Sequence, residues 1–198
     1  MNSNVTSAEI LLSLKEQFNQ SKRRIEVLSP CATKTDIIKA KWNIPENTLL
    51  GVILYNTGGI VIDGWIRVLG SGERDVASWN ETLNIDSYVV IADDVLGGLF
   101  GLPIKSNIIH YFAPDTLEWE DTKLTYPQFI RWLAEGDVDL FYSDYRWNNW
   151  ETDVVDLSFF EGISFYPFLW AKSEQERSRK AISLKEIVLL SFDIRKAL

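Results

Sequence analysis

The sequence predicts an α+β domain in which a central, mainly antiparallel sheet is flanked by helices. Helix signals stand at both ends of the 198-residue chain, whereas short apolar runs separated by turn residues are grouped in the middle. No alternation of strands with crossover helices is visible, which argues against a doubly wound parallel sheet. Three apolar runs, at residues 88–92, 99–102 and 108–112, predict a tight meander. Asp93, Asp94, Gly97 and Gly98 mark a bend within it that needs backbone freedom.

The first part of the chain predicts helices with one short strand between them. Thr6 and Glu9 have the spacing of a capping box, and apolar residues then recur at helical spacing over residues 7–19. Residues 25–28 read as extended, and a second helix is expected to start within residues 33–36. Pro45 suits the first turn of a third helix, which should end at the glycines Gly58 and Gly59.

A β-hairpin is expected directly after this helix. Residues 60–62 and 65–69 have strand character, and Asp63 with Gly64 suits a type I′ turn between them. The Gly70-Ser71-Gly72 segment closes the unit, and a loop or short helix is predicted for residues 73–83 before the meander.

The last third of the chain predicts two more capped helices. Thr125 and Gln128 form a capping box with Pro127 in the first turn, and the helix should end at Gly136. An aromatic-rich late strand is expected at residues 163–170 and irregular chain at 173–180. A last capping box, Ser183 with Glu186, begins a helix to the end of the chain. We predict one domain over residues 1–198, with an N-terminal helical extension at 1–40, a core at 41–172 and a C-terminal helical segment at 173–198.

The composition argues against several classes of protein, namely disulfide-bonded, secreted, membrane-spanning and nucleic-acid-binding proteins. A single cysteine, Cys31, cannot form an intrachain disulfide, and neither a secretory signal nor an apolar run long enough for a membrane helix is found, so we expect a cytoplasmic protein. The net charge of −8 argues against nucleic acid as a partner. Residues 113–161 contain twelve acidic and three basic residues, a net charge of −9. Either this segment is a solvated face, or it attracts a basic partner.

Several of these segments resemble known families. LLGVILYNTGG at residues 49–59 resembles the helix and glycine ending of the SUKH superfamily, many of whose members are bacterial immunity proteins. IADDVLGGLFGL, IHYFAPDTLEW and RWLAEGD are similar to a smaller bacterial family of uncharacterised function that looks SUKH-like. The resemblance covers residues 40–172 and implies a SUKH-like fold and binding, by neutralising a toxin domain, rather than catalysis. It assigns no functional residues.

The residues most suggestive of chemistry have stronger structural interpretations. Asp93 and Asp94 on one strand would point to opposite faces, so they suit turn or backbone-amide contacts better than a shared metal ion. His110 is the only histidine and no nucleophile motif accompanies it, so neither a catalytic triad nor a zinc site is expected. We predict no cofactor and no metal. The alternative to a binding protein is a carboxylate-based hydrolase of glycosidase type, with its acids within residues 113–161.

Asp144–Trp150 (DYRWNNW) is the candidate contact segment, because tryptophan and arginine are enriched at interface hot spots. Trp147 and Trp150 are also correctly spaced to pack together into a core, and both interpretations stand. Our leading hypothesis is a cytoplasmic binding protein, an immunity protein that meets a basic toxin domain with its acidic surface. The predicted partner-binding residues are Asp115, Glu118, Asp139, Asp144, Arg146, Trp147, Trp150 and Glu151.

Overall fold

A seven-stranded antiparallel sheet dominates the computed structural model, which describes residues 5–197. Within this range the chain forms eight helices and nine strands, and seven strands follow one another across the sheet in the order β1 to β7. The last two strands form a separate antiparallel pair. The predicted α+β class with a central antiparallel sheet is therefore confirmed. Among residues 5–197, no helix has the length and apolar character required to cross a bilayer.

The helices and strands have the following bounds. The helices are α1 Ser7–Gln20, α2 Ala32–Trp42, α3 Leu49–Asn56, α4 Val76–Leu83, α5 Tyr126–Glu135, α6 Val138–Phe141, α7 Trp150–Val154 and α8 Leu184–Ala197. The strands are β1 Ile25–Leu28, β2 Gly59–Ile62, β3 Ile66–Leu69, β4 Tyr88–Asp94, β5 Leu99–Pro103, β6 Ile108–Phe112, β7 Trp119–Thr125, β8 Glu161–Tyr166 and β9 Ser178–Ser183.

Local turn chemistry fixes the sheet register where the sequence predicts it. Asp63 and Gly64 have φ values of 54° and 70°, as a type I′ turn requires, and they pair Ile62 with Ile66 across the hairpin. The predicted meander is formed by β4, β5 and β6. A bulge between Val90 and Ala92 adds one residue to β4.

The central strands of the sheet are buried on both faces, and β3, β4, β5 and β6 each contribute residues to two different cores. Val68 and Phe100 belong to one core, which α1 and α5 cover with side chains such as Phe18 and Phe129. Their chain neighbours Leu69 and Leu99 belong to the other core, which α4 and α8 cover. Because a sheet covered on both sides leaves little room for exposed strand residues, charged side chains on β3 and β4 are forced into the interior.

The helix starts predicted at Thr6 and Thr125 are confirmed, whereas the start predicted at Pro45 is wrong. Thr6 and Thr125 each form a capping box, with Glu9 and Gln128 respectively. The helix predicted from Pro45 instead begins at Leu49, because the Thr48 hydroxyl accepts a hydrogen bond from the Gly51 amide at 3.1 Å and acts as N-cap. Pro45 lies in the turn before it, where its carbonyl accepts from the Thr48 amide.

The predicted division at residue 40 does not correspond to a boundary in the structure. β1 pairs with β2 as the edge strand of the central sheet, and Leu14 and Phe18 of α1 are buried in a core. Residues 5–40 therefore complete the sheet and its cover rather than extend from them. Residues 1–4 and 198, which that division also included, lie outside the described range.

The end of the chain also differs from expectation. The late strand ends at Tyr166 rather than at residue 170, because Pro167 has no amide to donate to a ladder. Part of the segment predicted to be irregular forms β9, which pairs with β8 from Ser178 to Ser183. The final helix, α8, begins at Leu184, directly after Ser183, where the sequence predicts it.

Candidate functional site

The segment between α5 and β8 carries most of the predicted partner-binding residues and is built from two very short helices. Asp137 caps α6, its carboxylate accepting from the Leu140 amide at 3.0 Å. The chain enters α7 through Asn149, which has a φ of 62°. Val138 of α6 and Val154 of α7 are fully or almost fully buried, and Phe141 and Trp150 also pack against the core, so each helix is held by two side chains. The remaining side chains are left to form a surface.

Arg146 is the centre of this segment. Its side chain is only 8% exposed, and its guanidinium lies 3.9 Å from the ring centroid of Trp150 and 5.0 Å from that of Trp65. One terminal nitrogen, Nη1, forms an ion pair with Asp139. Such stacking combines cation–π attraction with burial of the planar group. Arg146 therefore holds the tryptophan and the carboxylate in fixed positions.

Arg23, from the chain between α1 and β1, fixes the same carboxylate from the other side. Its Nη1 donates to Asp63 at 2.8 Å and to Asp139 at 3.1 Å, so one guanidinium bridges both acids. The hydrogen bonds from Arg23, followed by the partly opposing cost of burial, leave the pKa of Asp139 below its usual value. Asp139 is thus ionised at neutral pH.

Trp147 and Trp150 pack against the core and also reach the surface. Their ring centroids lie 5.7 and 5.0 Å from that of Trp65, which is fully buried. Trp147 donates from Nε1 to an Asp153 carboxylate oxygen at 2.6 Å. Both rings remain half-buried, so the core-packing interpretation describes their inner faces while part of each ring meets solvent.

The aromatic cluster contains buried hydrogen-bond donors that have no acceptor among residues 5–197. These donors are Nε1 of Trp65 and both Nε and Nη2 of Arg146. Buried polar atoms are satisfied in the large majority of cases, and an orphaned donor costs about 1–3 kcal/mol. The cluster is therefore rich in donors, in contrast to the acids that surround it.

Eleven of the twelve acidic residues in 113–161 are exposed. Three of these exposed acids, Asp144, Glu151 and Asp156, have neither an ion pair nor a side-chain hydrogen bond to any residue within 5–197. We use the term acidic tryptophan surface for Asp139, Asp144, Trp147, Trp150, Glu151, Asp153 and Asp156.

An open groove of about 730 Å³ borders this surface. Asp139, Trp150 and Glu151 form one wall, and the basic residues of the α1–β1 connection form another. The basic residues concerned are Lys22, Arg23 and Arg24. The groove thus carries charges of both signs, several of them already neutralised by the Arg23 bridge.

The structure brings five of the eight predicted partner-binding residues into contact with this cluster or its groove. They are Asp139, Arg146, Trp147, Trp150 and Glu151. Asp144 is exposed in the loop before Arg146.

The last two predicted residues are held elsewhere. Asp115 accepts a hydrogen bond from the Tyr145 hydroxyl at 2.6 Å, and burial together with that bond raises the pKa of the phenol. Glu118 pairs with Arg195 of α8 and does not belong to the cluster. The sequence did not point to Trp65 or Arg23 as contributors. Trp65 directly follows the type I′ turn, which is the only local signal for its position.

Asp93 and Asp94 are both fully buried and satisfied by protein groups on opposite faces of β4. Asp93 forms a bidentate ion pair with Arg74, with distances of 2.5 and 2.9 Å. The Asp94 carboxylate accepts from the hydroxyls of Tyr111 and Tyr142 and from two backbone amides. The prediction that these acids bind backbone amides at the turn is confirmed for Asp94. Asp93 is instead bound by a buried arginine.

His110 and the potential metal ligands show no catalytic arrangement in the part of the chain that is described. His110 Nδ1 lies 3.0 Å from the Tyr88 hydroxyl, and its ring packs at 5.6 Å from that tyrosine. Among residues 5–197, no cluster of three or more His, Cys, Asp or Glu side chains is placed to hold a metal ion.

Comparison with known proteins identifies relatives over most of the chain. A family described as "Protein of unknown function DUF2625" matches residues 4–187. The chain is 40% identical to the uncharacterized protein YbfG of Escherichia coli (strain K12), a similarity that covers 74% of each chain. It is 32% identical to an uncharacterized protein of Haemophilus influenzae, over 80% of this chain and 76% of the relative. No solved structure matches the chain at a significant level.

Proposed function

The chain belongs to the family DUF2625, and on this premise we propose that it is a binding protein that takes a basic protein partner on its acidic tryptophan surface. The observation that carries the proposal is that Asp144, Glu151 and Asp156, in the segment of Trp147 and Trp150, are exposed and have no ion-pair partner among residues 5–197. Exposed acids without ion-pair partners make the electrostatic potential of a surface more negative, which speeds its association with a basic partner. Partly exposed tryptophans supply the contact area that makes hot spots.

The surface is rigid enough to bind without large ordering costs. Arg146 and Trp65 fix the two tryptophans from beneath, and the Arg23 bridge ties the α1–β1 connection to Asp139. Preorganised side chains lose less conformational entropy on binding than mobile ones. This arrangement supports association as the activity of the surface.

The chemistry of the groove favours binding over carboxylate-based hydrolysis. A glycosidase-type mechanism needs one carboxyl group whose pKa is raised so that it can act as an acid. The Arg23 hydrogen bonds lower the pKa of Asp139, and Asp63 is committed to the same guanidinium. Both carboxylates are therefore better suited to holding the groove together than to transferring protons.

Toxin neutralisation is the form of this proposal that the SUKH resemblance suggests. In that form the partner is a toxin domain with a basic surface, such as a nuclease, and the acidic tryptophan surface covers its basic residues. The relation to the SUKH superfamily is part of the proposal and rests on the residues in 49–59 and the order of elements around them.

The test is a binding measurement with a purified basic domain encoded next to this chain. We expect a complex at about micromolar concentration that weakens steeply as salt is raised from about 0.05 to 0.5 M. The triple variant Asp144→Asn, Glu151→Gln and Asp156→Asn should slow association roughly tenfold.

A second triple variant controls for net charge. Glu16→Gln, Asp36→Asn and Glu174→Gln remove the same number of exposed acids outside the surface, and we expect them to leave association unchanged. Absence of a complex, an affinity insensitive to salt, or equal effects of the two triple variants would each contradict the proposal.

A further inference from the structure

Arg67 of β3 is a buried arginine that has no carboxylate of its own. The residue is 2% exposed, and its Nη1 donates to the backbone carbonyls of Glu161 at 2.7 Å and Phe159 at 3.4 Å. Among residues 5–197, no acidic side chain lies within ion-pair distance of it. Arginines buried without a charged partner are costly, so this one calls for a physical explanation.

The neighbouring charges leave this face of the sheet one positive charge in excess. Asp93 lies opposite Arg67 on the adjacent strand, but both of its oxygens are bound by Arg74. Asp94 points to the other face. Two buried arginines therefore lie near one buried carboxylate, and only Arg74 is bonded to it. Burial lowers the pKa of Arg67 to about 10, which still leaves the guanidinium charged at neutral pH.

Arg67 lies at the inner end of a cavity of about 380 Å³ that opens beside β1 and β2. Val61, Val154, Leu157 and Phe159 contribute apolar surface to its walls, beside the polar surface of the charged residues. A cavity of this size, in which apolar side chains lie beside a few charged groups, is large enough to take a small organic ligand. The cavity is separate from the groove beside the acidic tryptophan surface, because the two share only Arg24.

The rim of the cavity restricts the charge of a ligand. Glu26, Glu73 and Arg24 line it, giving the rim a net negative charge. A dianion such as phosphate would be repelled there, whereas a monoanion with an apolar body meets less repulsion and gains from the walls. A carboxylate also matches the planar donors of a guanidinium.

We propose that this cavity is a binding site for a small organic monocarboxylate, with Arg67 binding the carboxylate and the apolar walls enclosing the rest of the molecule. The site is independent of the proposed partner surface, so that either can fail without the other.

Titration calorimetry with hexanoate, 1-hexanol and inorganic phosphate tests the site. We expect hexanoate to bind, and hexanol and phosphate to bind at least about tenfold more weakly. Arg67→Met removes the charge and should weaken hexanoate at least about tenfold, whereas Arg131→Met removes an exposed arginine of α5 and should have no effect.

Val61→Phe provides a variant that keeps Arg67 and fills the cavity instead. Val61 faces the cavity on β2 opposite Arg67, so the larger ring should block hexanoate even if Arg67→Met does not fold. The proposal is overturned if hexanoate shows no binding up to about 20 mM, beyond the millimolar range of weak ligands. It is equally overturned if hexanol or phosphate binds as well as hexanoate, or if Val61→Phe leaves hexanoate binding unchanged.

Discussion

The buried ion pair between Arg74 and Asp93 makes a prediction with an unusual asymmetry. Asp93 is fully buried, Arg74 is 2% exposed, and two parallel hydrogen bonds join them. Asp93→Asn leaves Arg74 and the neighbouring Arg67 without any anion on that face of the sheet. Arg74→Met leaves Asp93 with Arg67 still opposite it. We therefore expect the aspartate variant to be the more damaging of the two.

The magnitude follows from the burial of both charges. Removing one partner of a buried pair costs about 3–5 kcal/mol, which is a large part of the roughly 5–15 kcal/mol that stabilises a typical domain. We expect Asp93→Asn to cost about 5 kcal/mol or more of the free energy of unfolding, and Arg74→Met to cost about 3 kcal/mol or less. With a urea m-value of about 2 kcal/mol/M, the corresponding midpoint shifts are roughly 2.5 M and 1.5 M.

Urea unfolding followed by circular dichroism measures both costs, and a double variant tests their cause. Asp93→Asn combined with Arg74→Met removes both charges, so the double variant should be less destabilised than the two single changes added together, by about 1–3 kcal/mol. A loss below about 1 kcal/mol for Asp93→Asn, or strict additivity in the double variant, would falsify the reasoning.

Burial raises the pKa of Asp94, so the folded state binds its proton more tightly than the unfolded state does. The free energy of unfolding of the wild-type protein should therefore fall relative to that of Asp94→Asn as the pH rises from about 4 through the raised pKa. Urea midpoints of both proteins, measured at a series of pH values, test this. A difference between them that stays constant or changes in the opposite direction would contradict it. Arg146→Lys keeps the charge but loses planar stacking on the tryptophans, so we expect the free energy of unfolding to fall by roughly 1–2 kcal/mol and the tryptophan emission to shift. The control, Arg131→Lys at an exposed arginine, should show neither change. Gly72→Ala would place a Cβ 2.1 Å from the carbonyl oxygen of Gly58, and thermal unfolding should show a loss of at least about 2 kcal/mol.

Signals that act over a few residues predicted the local structure well. The capping box of α5 and the type I′ turn at Asp63 are found where the sequence places them. Each depends on contacts within four residues, so the chain around it carries all the information needed. The start of α3 was misplaced because Pro45 and Thr48 are both acceptable near a helix start, and the Thr48 hydrogen bond decides between them.

Two edge strands, β7 and β9, carried no usable signal in the sequence. β7 (WEDTKLT) and β9 (SRKAIS) pair on one side only and expose many side chains, so they need no regular alternation of apolar residues. Charged residues on edge strands also protect them from pairing with other chains. The pattern that identifies a central strand is therefore absent from the sequence at both places.

The candidate surface was predictable only in part, for a related reason. Asp139, Arg146 and Trp150 lie within twelve residues of one another and were identified from composition. Their supports, Trp65 and Arg23, come from distant parts of the chain and are brought in by the sheet and its cover. A single sequence records such contacts in no local pattern.

The adjacent acids Asp93 and Asp94 show how a two-sided sheet assigns different tasks to neighbouring residues. Strand alternation sends one carboxylate to the arginines on one face and the other to Tyr111 and Tyr142 on the opposite face. Neither carboxylate can be replaced by the other, because each is the only carboxylate hydrogen-bonded to the buried partners on its own side within residues 5–197. The unneutralised charge of Arg67 follows from this division, because Asp94, which is next to Asp93 in the chain, is held on the opposite face of the sheet.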